Sequence, residues 1–378
     1  MNLPAQSATA QYVFNSISPR HSVELFNFAD LVEEQFDQWS KLGETALAPN
    51  PFFESQFIRP LVECLGIENL KLLVVLDDAR HWLFAAPVVQ HFFEQGLPLP
   101  KLRALRSEYI FLDSPLISKH DSAFILTCLL SALSCQRDWH GLGFSKTVTN
   151  SVQNDLIEFV ATVSDAKVKH TTHSERPSVT PQTQTELLEQ CSASRRKTLR
   201  KGWKKLSQAG DVEFRLRRLP NEIPSAIDSF LELEALGWKG EQGTALSCKS
   251  SHAVFFSKMC EEFSKAGRVI FGEILLNNQV IASTCNLLSG NTLFAFKIGW
   301  DHNYSNCSLG YWSEVLLADA IHHEAKEVCL IDSCSDEDSY TGKVWQDRIE
   351  IGSTILIWSR RAKLMREAKK VVKKLVKN

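Results

Sequence analysis

The order of apolar segments predicts a mixed α/β fold of the α+β kind, laid out twice along the chain. Two observations carry this reading. Residues 186–359 run through three helical segments, three closely spaced strands, a helix and two further strands. Residues 21–175 follow a fainter version of that order, with helices, a strand pair, a loop, a helix and a strand, and no clear sequence repeat between the halves. Expected boundaries are an arm over 1–20, a first domain over 21–175, a second over 176–359, and a basic amphipathic helix over 360–378.

In the first half, apolar residues from Val23 to Trp39 recur with helical spacing. Leu70 to Leu76 and Trp82 to His91 read as paired strands joined by a hairpin turn at DDARH. Ala123 to Leu133 and Val152 to Val163 read as helices, with a short strand at Trp139 to Phe144. The segment HTTHSERPSVTPQTQTE (170–186) is the best connection between halves, although a crossing strand can hide inside it.

In the second half, a long helix is expected from Glu186 to Ala209, then helices at Ile223 to Leu236 and His252 to Ala266. Strands follow at Val269–Leu276, Val280–Leu288 and Leu293–Ile298, with hairpin turns at NNQ and SGN. A helix from Leu309 to Ala325 and strands at Val328–Asp332 and Ile349–Trp358 complete the order.

Bulk properties narrow the class. The chain has 378 residues, 44% hydrophobic and 23% charged, with a formal net charge of -2. That is ordinary globular composition, so attraction to nucleic acid or membrane must come from local patches. Ten cysteines are scattered, mostly in apolar runs and with no CxxC pair, which points to a reducing, cytoplasmic compartment. No secretory signal or membrane-spanning run is read. GxSxG, GxxxxGK[ST] and GxGxxG are all missing, so hydrolase, P-loop and dinucleotide-binding readings lack motif support. His170 and His173 have no ligand at matched spacing, so no metal site is expected.

The sharpest local signal is LELEALGWKGEQGTAL (231–246), with Glu234, Gly237, Trp238, Lys239 and Gly240 close together. It is followed by GEILLNNQVIASTCNLL, LFAFKIGWDHNYSNCSLGYWSEVLLADAI and VCLIDSCSDEDSYTGKVWQDR. Together these resemble the GNAT-like acetyltransferases associated with cellulose biosynthesis, a branch close to the FemAB-type acyl and aminoacyl transferases. NPFFESQFIRPLVECLG and KLLVVLDDARHWLFAAPVV resemble the N-terminal part of the same family. The resemblance implies a double GNAT-like fold. It also implies an acyltransferase with acyl-CoA as donor substrate, no permanently bound cofactor, and an amine or hydroxyl acceptor that is small or polysaccharide-related. It further implies two alternatives, an aminoacyl-tRNA-dependent transferase and an inactive GNAT-like binding protein.

Such a fold places the acyl group between two splayed strands and the donor phosphates at a helix N-terminus. Here Phe296 and Ile298 are expected beside the acyl carbonyl, with Ser308, Leu309, Gly310 and Tyr311 opening the phosphate-binding helix. The usual Gly-rich loop is replaced by NCSLG, and Ser308 reads equally as a plain helix cap. Candidate catalytic residues are Glu234, Lys297, Asp332 and Tyr340. Glu234 reads as a general base beside Trp238, or as a carboxylate paired with Lys239 or a distant arginine. Asp332 ends a buried strand, where it faces a ligand or caps a loop. Lys297 is either edge-exposed or aimed into the cleft. Tyr340 is a candidate proton donor to a leaving thiolate.

Two basic runs stand apart. Arg195, Arg196, Lys197, Arg200, Lys201, Lys204 and Lys205 share one helix with no acid. Trp238, Lys239, Arg196 and Arg200 are taken as substrate-binding candidates. The tail RRAKLMREAKKVVKKLVKN has nine basic residues and one acid, with Leu364, Ala368, Val372 and Leu375 at helical spacing. It suits an anionic membrane surface at the inner face, or tRNA in the alternative reading.

Overall fold

A computed structural model describes residues 10–14, 18–92, 99–236, 246–365 and 367–368. It divides into two compact units, one of Met1–Ser55, Glu68–His173 and Glu350–Asn378, the other of Gln56–Ile67 and Ser174–Ile349. This corrects the expected boundaries in two places. Most of the helix Ser55–Leu65 groups with the second unit, and the final strand crosses back into the first, where it pairs antiparallel with Gly141–Val148.

The first unit holds β1 (Tyr12–Phe14), β2 (His21–Asn27), α1 (Glu33–Glu44), β3 (Lys71–Asp77), β4 (Trp82–His91), β5 (Lys101–Ala104) and β6 (Leu116–Ile117). It continues with α3 (Ser122–Ser134), β7 (Gly141–Val148) and α4 (Val152–Val163), α2 being Ser55–Leu65. Two long strands are shared along the chain, β8 (Lys167–Val179) and β14 (Asp347–Ile357). The strand order of this unit is β1-β2-β3-β4-β5-β7-β14-β8, with β6 on β4. The helix expected across Val23 to Trp39 is instead a strand followed by α1. Val23, Glu24, Leu25 and Phe26 are all buried, and a strand covered on both sides loses the alternation that would reveal it.

The second unit holds α5 (Gln184–Gln190), α6 (Ala193–Ala209), β9 (Val212–Arg217), α7 (Ile223–Leu236) and α8 (Ser250–Ser264). It ends with β10 (Val269–Leu276), β11 (Gln279–Ser289), β12 (Thr292–Trp300), α9 (Leu309–Glu324) and β13 (Leu330–Asp332). Its strand order is β8-β13-β12-β11-β10-β9. The hairpin turn at NNQ is set by Asn277 and Asn278, whose φ of 49° and 66° fit a two-residue turn that matches the strand twist. The helix expected over 186–209 breaks in two. Ser192 adopts extended backbone, and its hydroxyl accepts from the Arg195 amide to start α6. The linker 170–186 contains the latter part of β8, so the strand is there.

Helices cover both faces of this second sheet. On one face Leu309, Trp312, Val315 and Leu317 of α9 join Ile270, Ile274, Ile281 and Leu293 in one buried cluster. On the other, Phe271 meets Phe230 of α7 and Phe256 of α8 edge-on. Burying an aromatic or branched side chain this way stabilises by about 1.5–3 kcal/mol each. None of the helices searched among the described residues is long and apolar enough to cross a membrane.

Candidate active site

The site begins where β12 and β13 part. They run parallel with Thr292, Leu293 and Phe294 opposite Leu330, Ile331 and Asp332. β13 stops there, while β12 continues to Trp300 paired with β11. At that divergence β12 carries a bulge. Ala295 faces Asn286 and Lys297 faces Cys285, which leaves Phe296 as the extra residue. The bulge breaks the alternation, so Phe296 and Lys297 both reach the α7–α8 face. Phe296 stacks on Phe256, and the Lys297 ammonium lies 3.9 Å from Glu234 Oε1.

The helix after the divergence starts abruptly. Ser308 sits at φ 61°, ψ 37° and its side chain caps nothing, which corrects the reading of a serine cap. Its carbonyl accepts from the Tyr311 and Trp312 amides. The first amides of α9 have no intrahelical acceptors and are suited to an anion. Helix α6 crosses directly over the preceding turn. Gly202 lies so close to the Cys307 carbonyl that a Cβ there would collide with it. The crossing brings the basic face of α6 to this corner, and the Arg195 guanidinium sits 4.3 Å from the centroid of the Tyr311 ring.

Tyr340, in a short turn after β13, closes the corner. A Cβ built on Gly310 would lie 3.6 Å from both the Tyr340 and Trp300 rings, an ordinary contact distance. Tyr311 meets Tyr340 edge-on at 5.4 Å. The Tyr340 hydroxyl donates to Glu314 Oε1 at 2.9 Å. Glu314 is 5% exposed, and its Oε2 has no hydrogen-bond partner among the described residues. Burial pushes the Glu314 carboxyl up to about 7, with the Tyr340 donation pulling the other way. Burial and the neighbouring Glu314 hold the Tyr340 phenol well above its ordinary value.

The expected site residues therefore fall into separate groups. Ser308, Leu309, Gly310, Tyr311 and Tyr340 converge at the α9 corner. Ile298, half-buried on β12, belongs to the stretch beyond β13. Glu234 and Lys297 meet each other instead, and Glu234 Oε2 also accepts the Leu246 amide at 2.9 Å. Asp332 is 1% exposed and committed, accepting from Arg176 at 3.1 Å and from the Cys334 amide at 2.8 Å. Both contacts tie the Asp332 carboxylate into the protein, so it has a structural part beside the catalytic one expected of it. Arg196 donates to the Glu189 carbonyl, while Arg200 is exposed. Trp238 and Lys239 lie outside the described residues.

Two residues escaped the sequence reading. Glu314 is marked in the sequence only by being the one acid in the mostly apolar run Leu309 to Ala318, four residues after Gly310. Arg176 was hidden in a stretch that reads as a polar connection. No group of three or more His, Cys, Asp or Glu among the described residues is arranged to hold a metal ion.

A family model described as an acetyltransferase (GNAT) domain matches residues 193–334. That span contains β9 to β13, α6 and α9, and so the corner just described except for Tyr340. No curated protein sequence matches the chain. Among solved structures, the chain is similar to FemX, with 10% identity, a TM-score of 0.53, and coverage of 88% of this chain and 97% of that one. It is similar to a conserved protein of unknown function from Bacteroides thetaiotaomicron, with 11% identity, a TM-score of 0.52, and coverage of 87% and 98%. It is also similar to the C-terminal domain of a putative lysylphosphatidylglycerol synthetase from Agrobacterium fabrum, with 8% identity, a TM-score of 0.51, and coverage of 89% and 95%. With the GNAT match and the strand orders above, the chain has a mixed α/β, double GNAT-like fold, and its second unit carries a GNAT acetyltransferase-type domain.

Proposed function

We propose that the second unit transfers an acyl group from an acyl-CoA thioester to an amine or hydroxyl acceptor by direct attack. The observation that carries this is the buried Glu314–Tyr340 pair beside the first turn of α9. The acyl carbonyl lies along β12 beyond Phe294. The donor phosphates lie at Leu309 and Gly310, with Arg195 on α6 alongside. The acceptor atom forms a bond to the acyl carbon, and the carbon–sulfur bond breaks.

The proton follows a short relay. Glu314, poised near neutrality, takes it from the attacking amine or hydroxyl. Tyr340 gives its own proton to the departing thiolate and is restored by Glu314 through their hydrogen bond. Tyr340 alone is too weak an acid for a thiol of ordinary pKa, about 8.5. Coupled to a carboxyl that titrates near 7, the net transfer runs downhill. A polysaccharide-related acceptor, and a site of action at the inner face of a membrane, rest on the sequence resemblance and the basic tail.

A second reading is favoured by α6, which exposes Lys197, Arg200, Lys201, Lys204 and Lys205 along one helix. An extended polyanion such as aminoacyl-tRNA would use more of that row than a single coenzyme needs. The likeness in fold to FemX and to a putative lysylphosphatidylglycerol synthetase domain keeps aminoacyl transfer in view.

The experiment is a thermal-shift and thiol-release assay with acetyl-CoA and longer acyl-CoAs against amine and hydroxyl acceptors. Stabilisation by the donor, and turnover that falls about 10²–10⁴-fold in Tyr340→Phe at similar donor KM, supports the proposal. No stabilisation at millimolar donor sinks it. Salt-sensitive tRNA binding lost in Arg200→Glu/Lys204→Glu would then favour the second reading.

A further inference from the structure

The two units repeat one strand plan. In the second, β9, β10, β11 and β12 follow one another antiparallel, and β12 then lies parallel to β13. In the first, β2, β3, β4 and β5 do the same, and β5 lies parallel to β7. The helix between the parallel strands begins alike in both. Asp121 stands before α3 at φ 55°, ψ 26°, as Ser308 stands before α9 at φ 61°, ψ 37°, and neither side chain caps its helix. Counted from these two residues, Ala123 takes the place of Gly310, Phe124 that of Tyr311 and Thr127 that of Glu314. The Thr127 hydroxyl donates to the Ala123 carbonyl of its own helix at 2.8 Å. The first unit thus repeats the backbone of the α9 corner without its carboxyl. Asp121 is exposed, and it sets a negative charge where donor phosphates would be received.

The strands beside these helices differ more. In β12 a single extra residue, Phe296, interrupts the pairing with β11. In the first unit the chain leaves β4 after Leu105, whose amide donates to the Pro87 carbonyl. It returns only at β6, where Leu116 and Ile117 face Ala85 and Phe84. Residues 106–115 make the excursion between, and they run to β7. There the pairing with β5 ends at Gly143, and Asp113 takes over the edge beyond it. Its amide donates to the Lys146 carbonyl at 2.9 Å. Its carboxylate accepts from the amides of Ser145 and Lys146 at 2.7 and 2.8 Å, and from the Ser145 hydroxyl at 2.5 Å. Asp113 is 1% exposed. Asn50 and Gln153 donate to the carbonyls of Ser114 and Pro115 at 2.7 and 3.1 Å, which fixes the end of the excursion.

We infer that the first unit holds a closed copy of the donor cleft, filled by the chain's own residues 106–115 with Asp113 as the latch, so that no acyl donor enters there. A thioester carbonyl needs free strand amides at the divergence of the parallel strands. Here two of those amides are already bonded to a buried carboxylate, and displacing it would leave a buried polar group unpaired. Any donor the chain takes is then held by the second unit alone. That last step rests on the transferase reading, whereas the closure rests on the Asp113 contacts.

The test uses the full chain and two readouts. Hydrogen exchange followed by mass spectrometry reads the Ser145 and Lys146 amides in peptides covering 141–148. Asp113→Ala should speed the exchange of two amides there at least ten-fold. Asp113→Asn, which keeps an acceptor oxygen, should speed it less, and it carries the comparison if circular dichroism shows the alanine variant unfolded. Exchange unchanged in both variants would overturn the closure. Native mass spectrometry with acetyl-CoA then counts donors. One donor per chain is expected, and none in Gly310→Trp, whose ring fills the corner of the second unit. Two donors per chain, or one kept in Gly310→Trp, would overturn the inference. A parent chain that takes no donor would sink the transferase reading, and the exchange rates would still decide the closure.

Discussion

The Tyr340 hydroxyl donates to one oxygen of Glu314 at 2.9 Å, while the other oxygen of Glu314 is buried without a hydrogen-bond partner among the described residues. A carboxylate in this position lacks much of the solvation it has in water. Burial therefore favours its protonated form and lifts it to about 7 from an ordinary value of 4.5. The same desolvation that makes Glu314 a candidate base makes it a liability to stability at alkaline pH.

The first prediction follows from that linkage. A folded-state pKa above the unfolded one favours the folded protein most at low pH. The contribution is fully present below about pH 4.5 and is lost as pH rises through about 7. Glu314→Gln cannot ionise but keeps an acceptor for Tyr340. Urea unfolding should find the two proteins differing by a fixed amount near pH 4. By pH 8.5 the variant should gain about 3 kcal/mol relative to the parent. A stability difference independent of pH would mean that Glu314 titrates normally.

The pair also shows where sequence reading succeeds and where it stops. The corner itself was legible, because Ser308 to Tyr311 open the helix that follows a strand and a short turn, and Tyr340 follows the next strand. Glu314 was not, because its role depends on what covers it, and burial is a tertiary property. Val23 to Phe26 were misread for a related reason, since a strand buried on both faces has no polar side to mark its period. Lys297 was open between edge and cleft, and the bulge at Phe296 decided the matter by turning it toward Glu234. A bulge is a register event between two strands, which neither strand's sequence announces alone.

The second prediction separates structure from chemistry at Asp332. Its carboxylate meets the Arg176 guanidinium in a setting where their side chains are 2% and 7% exposed. Asp332→Asn leaves a buried guanidinium without its counter-charge and should destabilise by about 3–5 kcal/mol. Replacing both partners by apolar residues, as in Arg176→Met/Asp332→Leu, should recover much of that loss. Thermal melts of the two single variants and the double variant decide it. A Tm unchanged in Asp332→Asn, together with collapsed turnover, would assign Asp332 a catalytic role instead.

The third prediction concerns how α6 is seated on the turn before α9. The nearest atoms to a Cβ at Gly202 are the carbonyl oxygen, carbonyl carbon and Cα of Cys307, all backbone. Backbone cannot rotate aside as a side-chain tip does, so Gly202→Ala must push α6 off the turn. Overpacking of this kind costs about 1–3 kcal/mol, against a gain of about 1 kcal/mol in helix propensity. Gly310→Ala is the control, because its Cβ would meet Trp300 and Tyr340 at 3.6 Å without collision. Denaturant midpoints should fall in Gly202→Ala and hold or rise in Gly310→Ala. Displacing α6 also draws Arg195 away from Tyr311, so Gly202→Ala should weaken donor binding beyond what its stability loss explains. Equal midpoints for Gly202→Ala and the parent would mean that α6 does not rest on the Cys307 carbonyl, and the basic helix would lose its place beside the first turn of α9.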